Sequence, residues 1–256
     1  MSAGGRILVV GLGPGPLEWL TPEASGALEV ATDLIGYGPY VERIPTHAGQ
    51  VRHATDNRVE LDRARHALEL AKAGRVVAVV SGGDPGVFAM AAALFEAVDH
   101  GDEFDRAVNI SVLPGVSAMQ AAAARLGAPL GHDFCAISLS DNLKPWDVIV
   151  RRLTAAAQGD FVIAFYNPAS RARPDAIHAA FKLLRELKAS DTPVAFARAV
   201  GRADEKLILT TLGEADPSIC DMSTLVLIGS SETRFIARPD GLSPWLYTPR
   251  HYGGGR

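Results

Sequence analysis

The 256-residue chain predicts a two-domain α/β protein. Two observations carry this. In the first half, three β-branched or apolar runs each end in a glycine-bearing turn that opens a helical pattern: Ile7 to Val10, Arg75 to Val80 and Val108 to Leu113. Repeated strand, tight loop and helix is the pattern of a mainly parallel sheet. In the second half, Pro193 to Arg198, Lys206 to Thr211 and Thr224 to Ile228 follow one another with no helical pattern between them. Adjacent strands without a crossover helix call for a mixed sheet with antiparallel pairs. The boundary falls between Pro114 and Gly131. It gives an N-terminal α/β domain at 1–115, a C-terminal α/β domain at 116–240, and a tail at 241–256 rich in Pro and Gly and expected to be loosely held.

Taken in order, Ile7-Leu8-Val9-Val10 reads as a buried strand. The first helix starts at Thr21, an N-cap hydroxyl, with Pro22 at the first helical position. Leu34 to Tyr37 is the second strand. His53 to Asn57 reads as a polar loop, with Asp56 or Asn57 capping a helix from Arg58 to Ala73. On that helix Leu61, Ala64, Leu68 and Ala71 share one face at three- and four-residue spacing, and Gly74 ends it. Met90 to Val98 is helical, Gly101 to Arg106 is a polar linker, and Met119 to Leu126 is a small-residue helix. Beyond the boundary come strand Phe134 to Leu139, helix Pro145 to Ala157, strand Asp160 to Phe165 and helix Pro174 to Lys188, before the three consecutive strands.

Composition excludes several classes of function. The net charge of −4, with acidic and basic residues interspersed, is not the basic stripe of a nucleic-acid protein. No apolar run approaches the length of a membrane span, and the first residues lack the apolar core of a signal peptide. Cys135 and Cys220 lie far apart in apolar runs and read as free, buried thiols. The cytoplasm follows as the expected compartment. The seven histidines are not paired at ligand spacing, so no metal site is expected. Neither a Gly-x-Ser-x-Gly elbow nor a Gly-Lys-Ser/Thr phosphate loop is present.

The motif-like stretches lie at strand ends. Gly11-Leu12-Gly13-Pro14-Gly15-Pro16 resembles a dinucleotide fingerprint but breaks it at Pro16, and Asp33 opens the second strand where a ribose would need an acid to close it. Ser81-Gly82-Gly83-Asp84-Pro85-Gly86-Val87-Phe88 carries glycines that permit positive φ and close approach of a ligand to bare backbone. The same residues are also ordinary turn chemistry. With few ionisable groups at these loops, the residues suit a bulky ligand and chemistry that depends on positioning.

These stretches carry a resemblance. Gly11 to Gly15 followed by Leu20-Thr21, Gly82-Gly83-Asp84-Pro85, and Pro114-Gly115-Val116-Ser117-Ala118 resemble, in order, the three motifs of the tetrapyrrole methylases, enzymes of corrin and sirohaem synthesis that use S-adenosylmethionine (SAM). Two further stretches, Ser138 to Trp146 and Tyr166 to Pro174, resemble the branch that methylates C17 of precorrin-3B. The resemblance implies the two-domain tetrapyrrole methylase fold, a homodimer, and SAM held between the domains with S-adenosylhomocysteine as product. By motif, Pro14 would line the floor of the SAM site. Gly82, Gly83, Asp84 and Val87 would surround the methionine end and ribose, Ser117 and Ala118 would add contacts, and Asn167 and Val200 would meet the adenine. The implied reaction is methylation of C17 of precorrin-3B with ring contraction to precorrin-4. The implied substrate is a polycarboxylate, so Arg171, Arg173, Arg58 and Lys144 are the expected docking cations. Sirohaem-branch relatives carry an acid just after the second strand, where this chain has Gly38, so no catalytic base is assigned. The alternatives are a methylase acting at another ring carbon or on a cobalt-containing substrate, and a non-catalytic tetrapyrrole carrier. Lack of a cysteine-rich extension favours the metal-free substrate.

Overall fold

The structure, a computed structural model, describes residues 4–56, 59–170 and 173–252. It divides into two compact units that meet in sequence between Ala118 and Met119. In the first unit β1 (Arg6–Gly11), α1 (Pro22–Val30), β2 (Asp33–Tyr37), α2 (Gly38–Glu42), β3 (Val51–Thr55), α3 (Glu60–Lys72), β4 (Val76–Ser81), α4 (Met90–Asp99), α5 (Glu103–Arg106) and β5 (Asn109–Leu113) follow in order. The sheet order is β3-β2-β4-β1-β5 and every pairing is parallel.

Both faces of this sheet are covered, which explains the unbroken apolar runs. Successive strand side chains point to opposite faces. Ile7 and Val9 pack with Val77 and Val79 against α3 and α4, while Leu8 and Val10 pack with Ala78 and Val80 against α1 and α2. Thr21 caps α1 as expected, its hydroxyl accepting from the Ala24 amide at 3.1 Å.

The second unit takes over within α6 (Ala118–Leu126) and continues through β6 (Gly127–Ala128), β7 (Phe134–Ser138), α7 (Trp146–Gln158), β8 (Val162–Tyr166), α8 (Ala176–Leu187), β9 (Pro193–Arg198), β10 (Lys206–Thr211), β11 (Thr224–Ile228), β12 (Arg234–Ile236) and β13 (Trp245–Tyr247). Its main sheet runs β10-β9-β11-β8-β7. The β7–β8 pair is parallel and the others are antiparallel, the mixed sheet that consecutive strands required. Helices α7 and α8 bury Ile149, Leu153, Ile177, Phe181 and Leu184 against Ile163, Phe165, Phe196 and Val226 of that sheet.

Four expectations are corrected. His53 to Thr55 is not loop but the end of edge strand β3, whose polar sequence hid it. The cap of α3 is neither Asp56 nor a side chain at all: Val59 holds the position, and Asn57 lies outside the described residues. The linker after α4 contains α5, closed by an Asp102–Asp105 capping box. The tail is held through Thr248, because Leu246 and Tyr247 of β13 pair with Gly127 and Ala128, and Leu246 and Thr248 are buried. Thr248 further donates from its hydroxyl to the Pro129 carbonyl at 2.6 Å. Cys135 and Cys220 are free and partly buried, and burial pushes their thiols up to about 11 and about 12. Among the described residues no helix is long and apolar enough to cross a membrane.

Candidate functional site

In the first unit the three motifs become one cluster at the carboxyl ends of β1, β4 and β5, where open α/β sheets bind ligands. The chain leaves β1 with the Leu12 amide on the Ser81 carbonyl (2.9 Å) and the Gly13 amide on the Gly83 carbonyl (3.1 Å). Gly11 and Gly115 are required by how closely the loops meet. A Cβ on Gly115 would stand 2.5 Å from the Gly83 carbonyl oxygen, and one on Gly11 would stand 2.7 Å from the Gly115 nitrogen. At Gly82 the ring of Tyr40 fills the space a side chain would need.

Asp84 is the clip of the cluster. One carboxylate oxygen accepts from the Gly86 amide at 2.8 Å and the other from the Gly115 amide at 3.0 Å. The carboxylate therefore fixes its own turn and the third motif at once. Gly83 is different: it has φ +74°, and over its bare Cα the nearest atoms are the Val116–Ala118 backbone, 3.9 Å from a notional Cβ. Main chain of the third motif thus packs over Gly83 at ordinary van der Waals distance. Ser117 is buried, Val87 is half-buried, and Ala118 opens α6. Behind the second loop, the buried Ser81 hydroxyl accepts from the Met90 amide at 3.1 Å and fixes the start of α4.

Arg43, just past α2, was invisible to motif reading. Its guanidinium donates to the carbonyls of Leu12 (3.2 Å), Gly13 (3.1 Å) and Gly15 (2.6 Å). With Pro14 and Pro16 lacking N–H groups, most polar main-chain groups of the first loop are spent inside the protein. Pro14, with no N–H to donate, offers an apolar ring to whatever lies against it. Asp33 is also settled: it is buried among His53, Arg75 and Thr32. Burial, which would raise its carboxyl, is outweighed by these hydrogen bonds, which hold it below the usual carboxylate range. It is a structural group at the opposite end of β2.

In the second unit the two branch-like stretches lie side by side because β7 and β8 are parallel neighbours. The Leu139 amide donates to the Tyr166 carbonyl at 2.9 Å. Asn167 takes φ 53°, a left-handed turn that asparagine tolerates, and donates from Nδ2 to the Ser138 hydroxyl at 3.0 Å. The Tyr166 hydroxyl accepts from the Met119 amide at 3.1 Å. Arg173 bonds back to Ser170 through the main chain, and its side chain lies 3.5 Å from Asp141. Lys144 is brought near Arg173, whereas Arg58 and Arg171 lie outside the described residues.

The loop after β9 is held from both sides. Arg198 pairs with Asp204 and Asp221, each at 2.7 Å, and Glu205 accepts from the Gly201 amide at 2.6 Å. Ala199 has φ 51°, and the Val200 side chain is buried, leaving main chain as what Val200 can present. Among the described residues no group of three or more His, Cys, Asp or Glu could hold a metal.

The family profile of the tetrapyrrole (corrin/porphyrin) methylases matches residues 6–216, most of the chain and all of these loops. The chain belongs to this family. The methylase is 55% identical over 250 residues to a precorrin-3B C(17)-methyltransferase from a Sinorhizobium species, covering 98% of each chain. It is 42% identical over 245 residues to a probable cobalt-factor III C(17)-methyltransferase of Salmonella typhimurium, covering 95% of this methylase and 98% of that protein. Among solved structures, that of the methyltransferase CobJ matches with a TM-score of 0.91 at 52% identity, covering 96% of this methylase and 100% of that chain. The expected two-domain tetrapyrrole methylase fold, with its parallel and mixed sheets, is therefore the fold of this chain.

Proposed function

We propose that this methylase transfers a methyl group from SAM to C17 of precorrin-3B, with ring contraction to precorrin-4 and S-adenosylhomocysteine as co-product. The observation that carries the reading is the convergence of the three family motifs on one backbone cluster in a chain so similar to a C17 enzyme. The residues fit the cofactor. Main chain of the second and third motifs meets at Gly83, so backbone rather than side chains borders the place proposed for the methionine end. When bound, the sulfonium supplies a methyl group and leaves as a neutral thioether, so the protein need not activate a poor leaving group.

The work left to the chain is alignment and exclusion of water, with donor and acceptor held about 3 to 3.5 Å apart and in line. Gly82, Gly83, Asp84 and Val87 take the methionine end and ribose, Ser117 and Ala118 close over them, and Pro14 supplies apolar contact. Asn167 and Val200 meet the adenine. Arg171, Arg173, Arg58 and Lys144 dock the carboxylates of the macrocycle. We place the enzyme in the cytoplasm as a homodimer.

The Salmonella relative favours a second reading, a cobalt-containing substrate, though at lower identity. Incubation with SAM carrying a labelled methyl group, in competition between metal-free and cobalt-bearing substrates, separates the two. The expected result is label on C17 of a ring-contracted, metal-free product. Label at another ring carbon, or preference for the cobalt form, contradicts the proposal. No SAM binding at all would indicate a carrier.

A further inference from the structure

The ends of β7 and β8 carry a set of charges that the protein leaves unbalanced. Arg173 follows β8, Lys144 precedes α7 and Arg152 lies on α7, close enough that the two arginines act on Lys144 electrostatically. Burial foremost, then Arg152 and Arg173, lower the Lys144 ammonium from its ordinary range, while Asp141 opposes them. Asp141 is the carboxylate acting on this set, and its contact with Arg173 is 3.5 Å long. Charge-assisted bonds usually lie near 2.7–2.9 Å, and Arg198 reaches both its carboxylates at 2.7 Å in the same unit. Arg173 is thus held loosely although its side chain is only 16% exposed, and Asp141 is 43% exposed. Neither Lys144 nor Arg152 has a carboxylate within 4.0 Å among the described residues. A second observation lies on the same turn: the Ser170 hydroxyl is buried with no hydrogen-bond partner among the described residues.

Resting on the functional reading above, we infer that Lys144, Arg152 and Arg173 form a docking site for neighbouring carboxylates of a rigid macrocycle, and that Asp141 occupies this site in the free protein and yields to the ligand. Arg152 lies outside the motif stretches and Asp141 within the one from Ser138 to Trp146; both act here through charge and place. A single carboxylate offers little more than Asp141 already supplies. Two on one rigid ring satisfy the excess positive charge that a lone carboxylate leaves, so the site selects polycarboxylates.

The test is a fluorescence titration of the full chain with uroporphyrin, a stable polycarboxylate macrocycle. Asp141→Asn removes the internal competitor and is expected to tighten binding about 5-fold, while Arg152→Ala weakens it about 5-fold, each the scale of one partly exposed ion pair. Asp141→Ser, which also lacks the charge, must follow Asp141→Asn. Binding in Asp141→Asn should also fall more steeply with salt, because one more net cation faces the ligand. Unchanged or weaker binding in both Asp141 variants, or wild-type affinity in Arg152→Ala, overturns the inference. If uroporphyrin binding responds as expected but no labelled methyl reaches precorrin-3B, the functional reading falls and the docking site stands. If methyl transfer proceeds while binding ignores these substitutions, the docking site alone falls.

Discussion

Gly115→Ala is expected to lower methyl transfer at least about 100-fold, the scale of a misplacement near 1 Å in a site that works by alignment. The added methyl group would meet the Gly83 carbonyl oxygen at 2.5 Å and main-chain atoms of Gly11 at 2.9 Å. None of these is a side-chain end that can rotate away, so relief requires two of the three loops to separate. Overpacking of this kind costs about 1–3 kcal/mol, which for a chain this size lowers Tm by roughly 2–4 °C per kcal/mol. Calorimetric titration with S-adenosylhomocysteine should show binding lost or much weakened. Gly26→Ala is the control. Gly26 lies exposed in α1 with nothing within 4 Å of a Cβ, and alanine there should stabilise by up to about 1 kcal/mol without affecting binding. Equal behaviour of the two variants would mean that the loop contact does not matter.

Asp84→Ala carries the second large effect. It removes the acceptors of the Gly86 and Gly115 amides together. Leaving the partly buried Gly115 amide without a partner costs about 1–3 kcal/mol. The third motif then loses the Asp84 side-chain tie to the second, and the main chain packed over Gly83 is freed to move. Asp84→Asn retains one oxygen acceptor and should fall between wild type and Asp84→Ala. The readouts are Tm and affinity for S-adenosylhomocysteine. If asparagine and alanine are equally harmless, Asp84 is a surface turn residue and the clip does not exist.

The parts of the fold that could be read from the sequence share a cause. β1 and β4 are covered on both faces, so burial wrote them as continuous apolar runs, and glycine marked where each ended. Edge strand β3 has the sequence Val-Arg-His-Ala-Thr, with no buried residue, and left no such trace. β13 is three residues long and finds its partner at Gly127 and Ala128, a pairing that local sequence cannot signal. The site divides in the same way. Gly82, Gly83, Asp84, Ser117 and Ala118 stand in recognisable motifs. Arg43 captures three carbonyls some thirty positions away, and any long basic side chain reads alike before folding. The motif glycines were legible as residues but not in their reason. Gly11 and Gly115 are small because loop meets loop, whereas Gly83 is glycine for its left-handed φ of +74°.

A crystal structure of the protein with S-adenosylhomocysteine bound tests the central claim most directly. The account predicts the homocysteine portion against the Gly82–Val87 loop, beside Gly83 and the Ser117–Ala118 main chain, with the Asp84–Gly115 bond intact. Density for the nucleoside at any place that leaves those three loops untouched would contradict it.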